Sequence, residues 1–74
     1  MQQKISLPNP FSKREQEVFL LLMRGNSNRK IAASLGICQK TVEKHLTSIY
    51  IRIGVFSRAE AILWGVQRDR DFPT

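Results

Sequence analysis

The chain has one cysteine, one histidine, one tryptophan and one tyrosine in 74 residues. A lone thiol, Cys38, excludes an internal disulfide and fits a reducing cytoplasm, which is the compartment expected here. A lone imidazole, His45, has no second histidine and no carboxylate at ligand spacing, so no metal site is expected. Paired with Ser48 it would also lack an orienting acid, so no catalytic nucleophile and no enzyme activity are expected. No run of about 18 apolar residues occurs, which excludes a membrane-spanning helix. The opening stretch MQQKISLPNP holds one lysine and no apolar core, so it does not read as a secretory signal. No segment alternates as a strand would, none repeats and none is low in complexity. Nothing calls for a cofactor or a small-molecule ligand in this domain.

Acid is also scarce. Six acidic residues stand against twelve lysines and arginines, a formal net charge of +6, and the sequence pI is 10.3. Such a balance suits a polyanionic partner, although a merely basic soluble domain would have the same composition. Placement favours the polyanion. Arg29, Lys30, Lys40, Lys44, Arg52 and Arg58 gather in the middle of the chain and after it, whereas Glu15, Glu17 and Glu60 lie near helix starts, where they complement the helix dipole.

What is present is helical punctuation, and it predicts an all-α domain of four helices. Residues 1–10 read as a flexible leader or linker, because Pro8 and Pro10 bracket Asn9 and forbid regular pairing. The text S-K-R-E at Ser12 is a capping box that opens the first helix, which carries Val18, Phe19, Leu21, Leu22 and Met23 and closes at Gly25. A second helix runs from Asn28 to Leu35 and stops at Gly36. A third carries Val42, Leu46, Ile49 and Ile53 at steps of four, three and four, which is one buried face. Gly54 ends it, and S-R-A-E at Ser57 is a second capping box for a fourth helix with Ala61, Ile62, Leu63, Trp64 and Val66. The domain is expected over residues 11–70, with 71–74 as a tail.

The second and third helices, joined by a tight turn at Gly36, Ile37 and Cys38, form a helix-turn-helix. Such a unit holds its second helix in the major groove of double-stranded DNA. With Val42 and Leu46 inward, Lys40, Glu43, Lys44 and Thr47 point away from the core and are the expected base-reading residues. Glu43 can accept from the cytosine amino group, Lys44 can donate to guanine N7 and O6, and Thr47 can meet a polar edge or a thymine methyl. Asn28, Lys30, Thr41 and Arg52 suit phosphate contacts, as do His45 and Arg58.

The motifs F-S-K-R-E-Q-E-V at Phe11 to Val18, N-S-N-R-K-I-A-A-S-L at Asn26 to Leu35, T-V-E-K-H at Thr41 to His45, I-G-V at Ile53 to Val55 and S-R-A-E-A at Ser57 to Ala61 follow in one order. Together they resemble the DNA-binding domain of the LuxR/GerE/FixJ family of bacterial transcription regulators, also found at the end of NarL-type response regulators. The resemblance runs from about Leu7 to Gln67. Glu15, Ile31, Ala32, Thr41, Val42 and His45 fall on its hallmark positions. It implies a four-helix domain that dimerises through its last helix and reads an inverted repeat with its third.

Remaining residues refine that expectation. Cys38 stands where the family usually places a serine or threonine cap; a helix N-terminus lowers a thiol pKa and suggests a redox switch, but an inert buried cysteine is the expectation. Ile51 lies outward where a charged residue is usual, and Phe56 is expected in the core. Trp64, with Leu63 and Gln67, should lie opposite the Ala61, Ile62 and Gly65 side of the fourth helix and form a homodimer contact. The competing function is a protein-interaction module that docks on RNA polymerase or another regulator and reads little DNA. A freestanding regulator and a piece of a longer receiver or ligand-sensing protein both fit the text.

Overall fold

The computed structural model describes residues 10–71, with side chains to residue 68. Four helices follow in order: α1 Lys13–Met23, α2 Asn28–Leu35, α3 Gln39–Ile53 and α4 Arg58–Asp71. Asp71, expected in the tail, belongs to α4 as described, while the expected leader up to Asn9 and the residues from Phe72 lie outside the described residues. Among the described residues no helix is long and apolar enough to cross a membrane.

Local chemistry explains each boundary. Ser12 accepts from the Glu15 amide at 3.2 Å, and the Glu15 carboxylate accepts from the Ser12 amide at 3.0 Å, so both halves of the first capping box form. Ser27 caps α2 by accepting from the Lys30 amide. Gly36 then takes a left-handed conformation with φ 68°, and the Ile37 amide reaches back to the Ala32 carbonyl at 3.0 Å. A side chain at that φ would be strained, so the glycine is what lets the chain reverse into α3 within three residues.

The start of α4 departs from a regular capping box. Ser57 accepts from the Glu60 amide at 3.1 Å, but the Glu60 carboxylate passes Ser57 and takes the Phe56 amide at 2.6 Å. Phe56 therefore hangs on a tightened loop rather than folding inward, and its ring is 93% exposed. The expectation of a core Phe56 is overturned.

The core is small and drawn from all four helices. Val18, Phe19 and Leu22 of α1 meet Ile31 and Ala32 of α2, Val42, Leu46 and Ile49 of α3, and Ala61 of α4. Helices α1, α2 and α3 pack on one another, whereas α4 packs chiefly on α1. Its seam depends on Gly65. A Cβ placed there would stand 2.8 Å from Phe19 Cζ and 2.8 Å from Met23 Cε, inside any real contact distance. Methionine can yield, but the Phe19 ring is wedged between Phe11 and Trp64, at centroid distances of 5.0 and 5.8 Å.

That cluster corrects the orientation expected for Trp64, opposite the core side of α4. Its indole is half-buried, packed on the core edge against Phe11 and Phe19, with the Arg68 guanidinium 4.9 Å from its centre. Close approach of α4 at Gly65 rolls the adjacent Trp64 toward α1, which the helical pattern of α4 alone does not reveal. Gly65→Val should accordingly cost about 2 kcal/mol of stability through overpacking. Urea unfolding checks this: the midpoint falls with an unchanged m-value, and an unaltered midpoint would show that the seam can open without cost.

Candidate nucleic-acid interface

The turn delivers α3 with its first residues open to solvent. Cys38 is the N-cap, but its side chain makes no capping bond to an α3 amide. The thiol is exposed rather than buried, contrary to the expectation, and its sulfur lies 3.2 Å from Thr41 Oγ1. Its pKa is lowered, first by the hydrogen bond from the Thr41 hydroxyl and next by the Thr41 amide. The thiolate gains partners at a positive helix end, and burial opposes this only weakly.

Beyond the cap, α3 divides cleanly. Val42, Leu46 and Ile49 are buried, and Lys40, Glu43, Lys44 and Thr47 are all exposed along the outer side, together with Ile51. Thr41 and His45 sit half-buried on the flanks of the helix. In the first turn of α2, Lys30 is exposed and Asn28 half-buried. The four residues expected to read bases therefore share one open face, with lysines that supply donors and a glutamate that supplies acceptors.

Two arginines from the expected phosphate set have other partners. Arg52 Nη1 donates to Glu15 Oε1 at 2.5 Å and to the Pro10 carbonyl at 3.0 Å, joining the last turn of α3 to the start of α1. Arg58 Nη1 donates to Asn28 Oδ1 at 3.0 Å, and its Nη2 donates to the Asn26 carbonyl. These bonds tie the first turn of α4 to the loop before α2 and offset the unfavourable placement of a cation at a helix start. Both guanidinium groups thus also tie elements of the domain together, and Arg52 remains exposed. Spacing along one chain could not reveal this, since their partners lie 37 and 30 residues away.

A second open surface lies on α4 and the loop before it. Leu63 is 57% exposed, Val66 and Gln67 are also exposed, and Phe56 stands beside them. Gly54, Val55, Glu60 and the edge of Trp64 complete a shallow apolar groove with Phe56, Leu63 and Gln67 on its walls. Sequence reasoning found Leu63 and Gln67 here but missed Val66 and Phe56. For Phe56 the available signal was Glu60, whose carboxylate has a choice of two amides.

Comparison with known proteins decides what this arrangement is. The family model described as GerE, bacterial regulatory proteins of the luxR family, matches residues 9–64. The chain belongs to the luxR family. Its helix-turn-helix is the DNA-binding unit of transcription regulators of this class. The response regulator protein VraR of Staphylococcus saprophyticus is 33% identical over 69 residues, which is 93% of this chain and 33% of that relative. The VraR proteins of Staphylococcus aureus strain Mu3 and of Staphylococcus epidermidis are 32% identical over 69 residues, with the same coverage. The chain spans about a third of the length of these curated relatives.

Two measurements test the luxR-type geometry. Arg58→Gln should lower stability by about 1–2 kcal/mol, because the Asn26 carbonyl and Asn28 side chain lose their donor; an unchanged urea midpoint would return Arg58 to the outer surface. Alkylation of Cys38 across pH should reach half its maximal rate below the pH at which an ordinary cysteine does, because its thiolate is stabilised. Thr41→Val should move that midpoint upward, and a midpoint indifferent to the change would assign the lowering to another group.

Proposed function

We propose that this domain binds a specific sequence of double-stranded DNA as a homodimer, with α3 of each copy in the major groove of one half of an inverted repeat. Lys40, Glu43, Lys44 and Thr47 read base edges, and Lys30, Thr41, His45 and Asn28 hold flanking phosphates, helped by the amides at the start of α3. The observation that carries this reading is the exposed polar face of α3 set on a domain of net charge +6. A polyanion is drawn to that charge, and the donors and acceptors on one helix then discriminate among base pairs.

Dimerisation is proposed through α4. Leu63, Val66 and Gln67 with Phe56 leave an apolar patch that water solvates poorly, and Trp64 stiffens it from beneath. Two copies pairing on this patch would be related by a two-fold axis, and two-fold symmetry in a protein calls for an inverted repeat in its DNA. The relatives are named response regulators, so the regulatory role proposed for this chain is that of an output domain acting on transcription in the cytoplasm.

Selection of bound duplexes from a random pool at near-physiological salt tests both parts. An enriched inverted repeat is the expected result. Lys44→Glu should then abolish preference for that repeat, Lys30→Ala should weaken all sequences alike and reduce the salt slope by about 0.9, and Leu63→Lys should leave binding to a single half-site only. A folded protein that enriches nothing would overturn the reading in favour of a module that docks on RNA polymerase or another regulator through the Phe56 and Leu63 patch.

A further inference from the structure

The outer face of α3 carries one residue that the polar reading does not use. At about 100° per residue, Val42, Leu46, Ile49 and Ile53 centre on one side of the helix, and the line opposite passes about 10° from both Lys44 and Ile51. By the same geometry Thr47 lies about 50° from that line and Glu43 about 90°. Lys40 lies about 30° from it, so Ile51 is nearer the middle of the open face than three of the four residues assigned to base reading. It is 76% exposed. Within α3 nothing in the core requires a branched apolar side chain at this place, and the adjacent Arg52 is drawn away by Glu15 and Pro10.

We propose that Ile51 is a fifth specificity-determining residue, which recognises the methyl group of a thymine at the far end of each half-site. This rests on the DNA-binding reading above. Isoleucine has no donor or acceptor, so it can recognise only an apolar feature, and the one apolar group on base edges in the major groove is the thymine C5-methyl. Ile51 stands about 10 Å beyond Lys44 along the helix axis, at 1.5 Å per residue. A helix in the major groove is inclined to the duplex axis, so with base pairs spaced by 3.4 Å Ile51 meets a pair at most about three steps from the one contacted by Lys44. The half-site thus combines hydrogen-bonded readout at the start of α3 with apolar readout toward its end.

The test uses the duplex recovered by selection with the whole chain. Each thymine in a half-site is replaced in turn by deoxyuridine, which removes only the methyl, and affinity is measured for the parent protein, Ile51→Ala and Ile51→Val. For the parent, one thymine within about three base pairs of the position lost in Lys44→Glu should cost about fourfold per half-site on demethylation, the effect of burying one methyl. Ile51→Ala should abolish that difference and Ile51→Val should retain most of it. A selected site at which no deoxyuridine effect changes with Ile51→Ala would overturn the role of Ile51 and leave DNA recognition standing. Failure to select any site would overturn the DNA reading, and this proposal with it.

Discussion

The Glu15 carboxylate, 7% exposed, accepts from the Ser12 amide at the start of α1 and from Arg52 in the last turn of α3. A buried charge is tolerated only when its hydrogen-bonding capacity is met, and here the partners come from two helices. The same carboxylate therefore fixes where α1 begins and how α3 lies across it. Arg52 extends the bond to the Pro10 carbonyl, so the segment entering the domain is held by the same contact. With so few residues in the core, such a polar clasp sets the direction of the helix whose other side faces outward, and that direction is what a groove-reading surface requires.

The remaining attachments have unequal weight. Helices α1, α2 and α3 enclose most of the buried side chains, while α4 is joined by the Gly65 seam, the Phe11, Phe19 and Trp64 cluster and the Arg58 clasp. Helices α3 and α4 both pack on α1, and α4 is further held through Arg58 to the start of α2 and the loop before it.

Helix boundaries were legible because they are written in short-range chemistry. Ser12 with Glu15, Ser27, Gly36 and Gly54 act on backbone groups within four or five residues, so their effect can be read from local text. The outward face of α3 was legible for the same reason, since Val42, Leu46 and Ile49 repeat at helical spacing. The contacts that Trp64, Arg52 and Arg58 make within the domain were not legible, because their surroundings are made by residues remote in sequence. A tryptophan on a helical pattern shows no core contact until the glycine beside it admits a second helix, and an arginine in a basic chain shows no partner within the fold until a buried glutamate appears opposite. Phe56 was misread through a local ambiguity: Glu60 can satisfy either of two amides, and the outcome turns the ring out or in. Cys38 was expected to be buried because small thiols usually are, yet a residue opening a helix at the end of a tight turn has little around it to cover it.

That exposed position of Cys38 also makes the domain chemically addressable. The sulfur is the only thiol in the chain and lies at the N-cap of α3, two residues before Lys40 and six before Lys44. A spin label, fluorophore or tethered cleavage reagent attached there would occupy a single defined place beside the proposed groove. The native sequence thus supplies its own molecular ruler for recording the polarity with which the helix lies along a duplex.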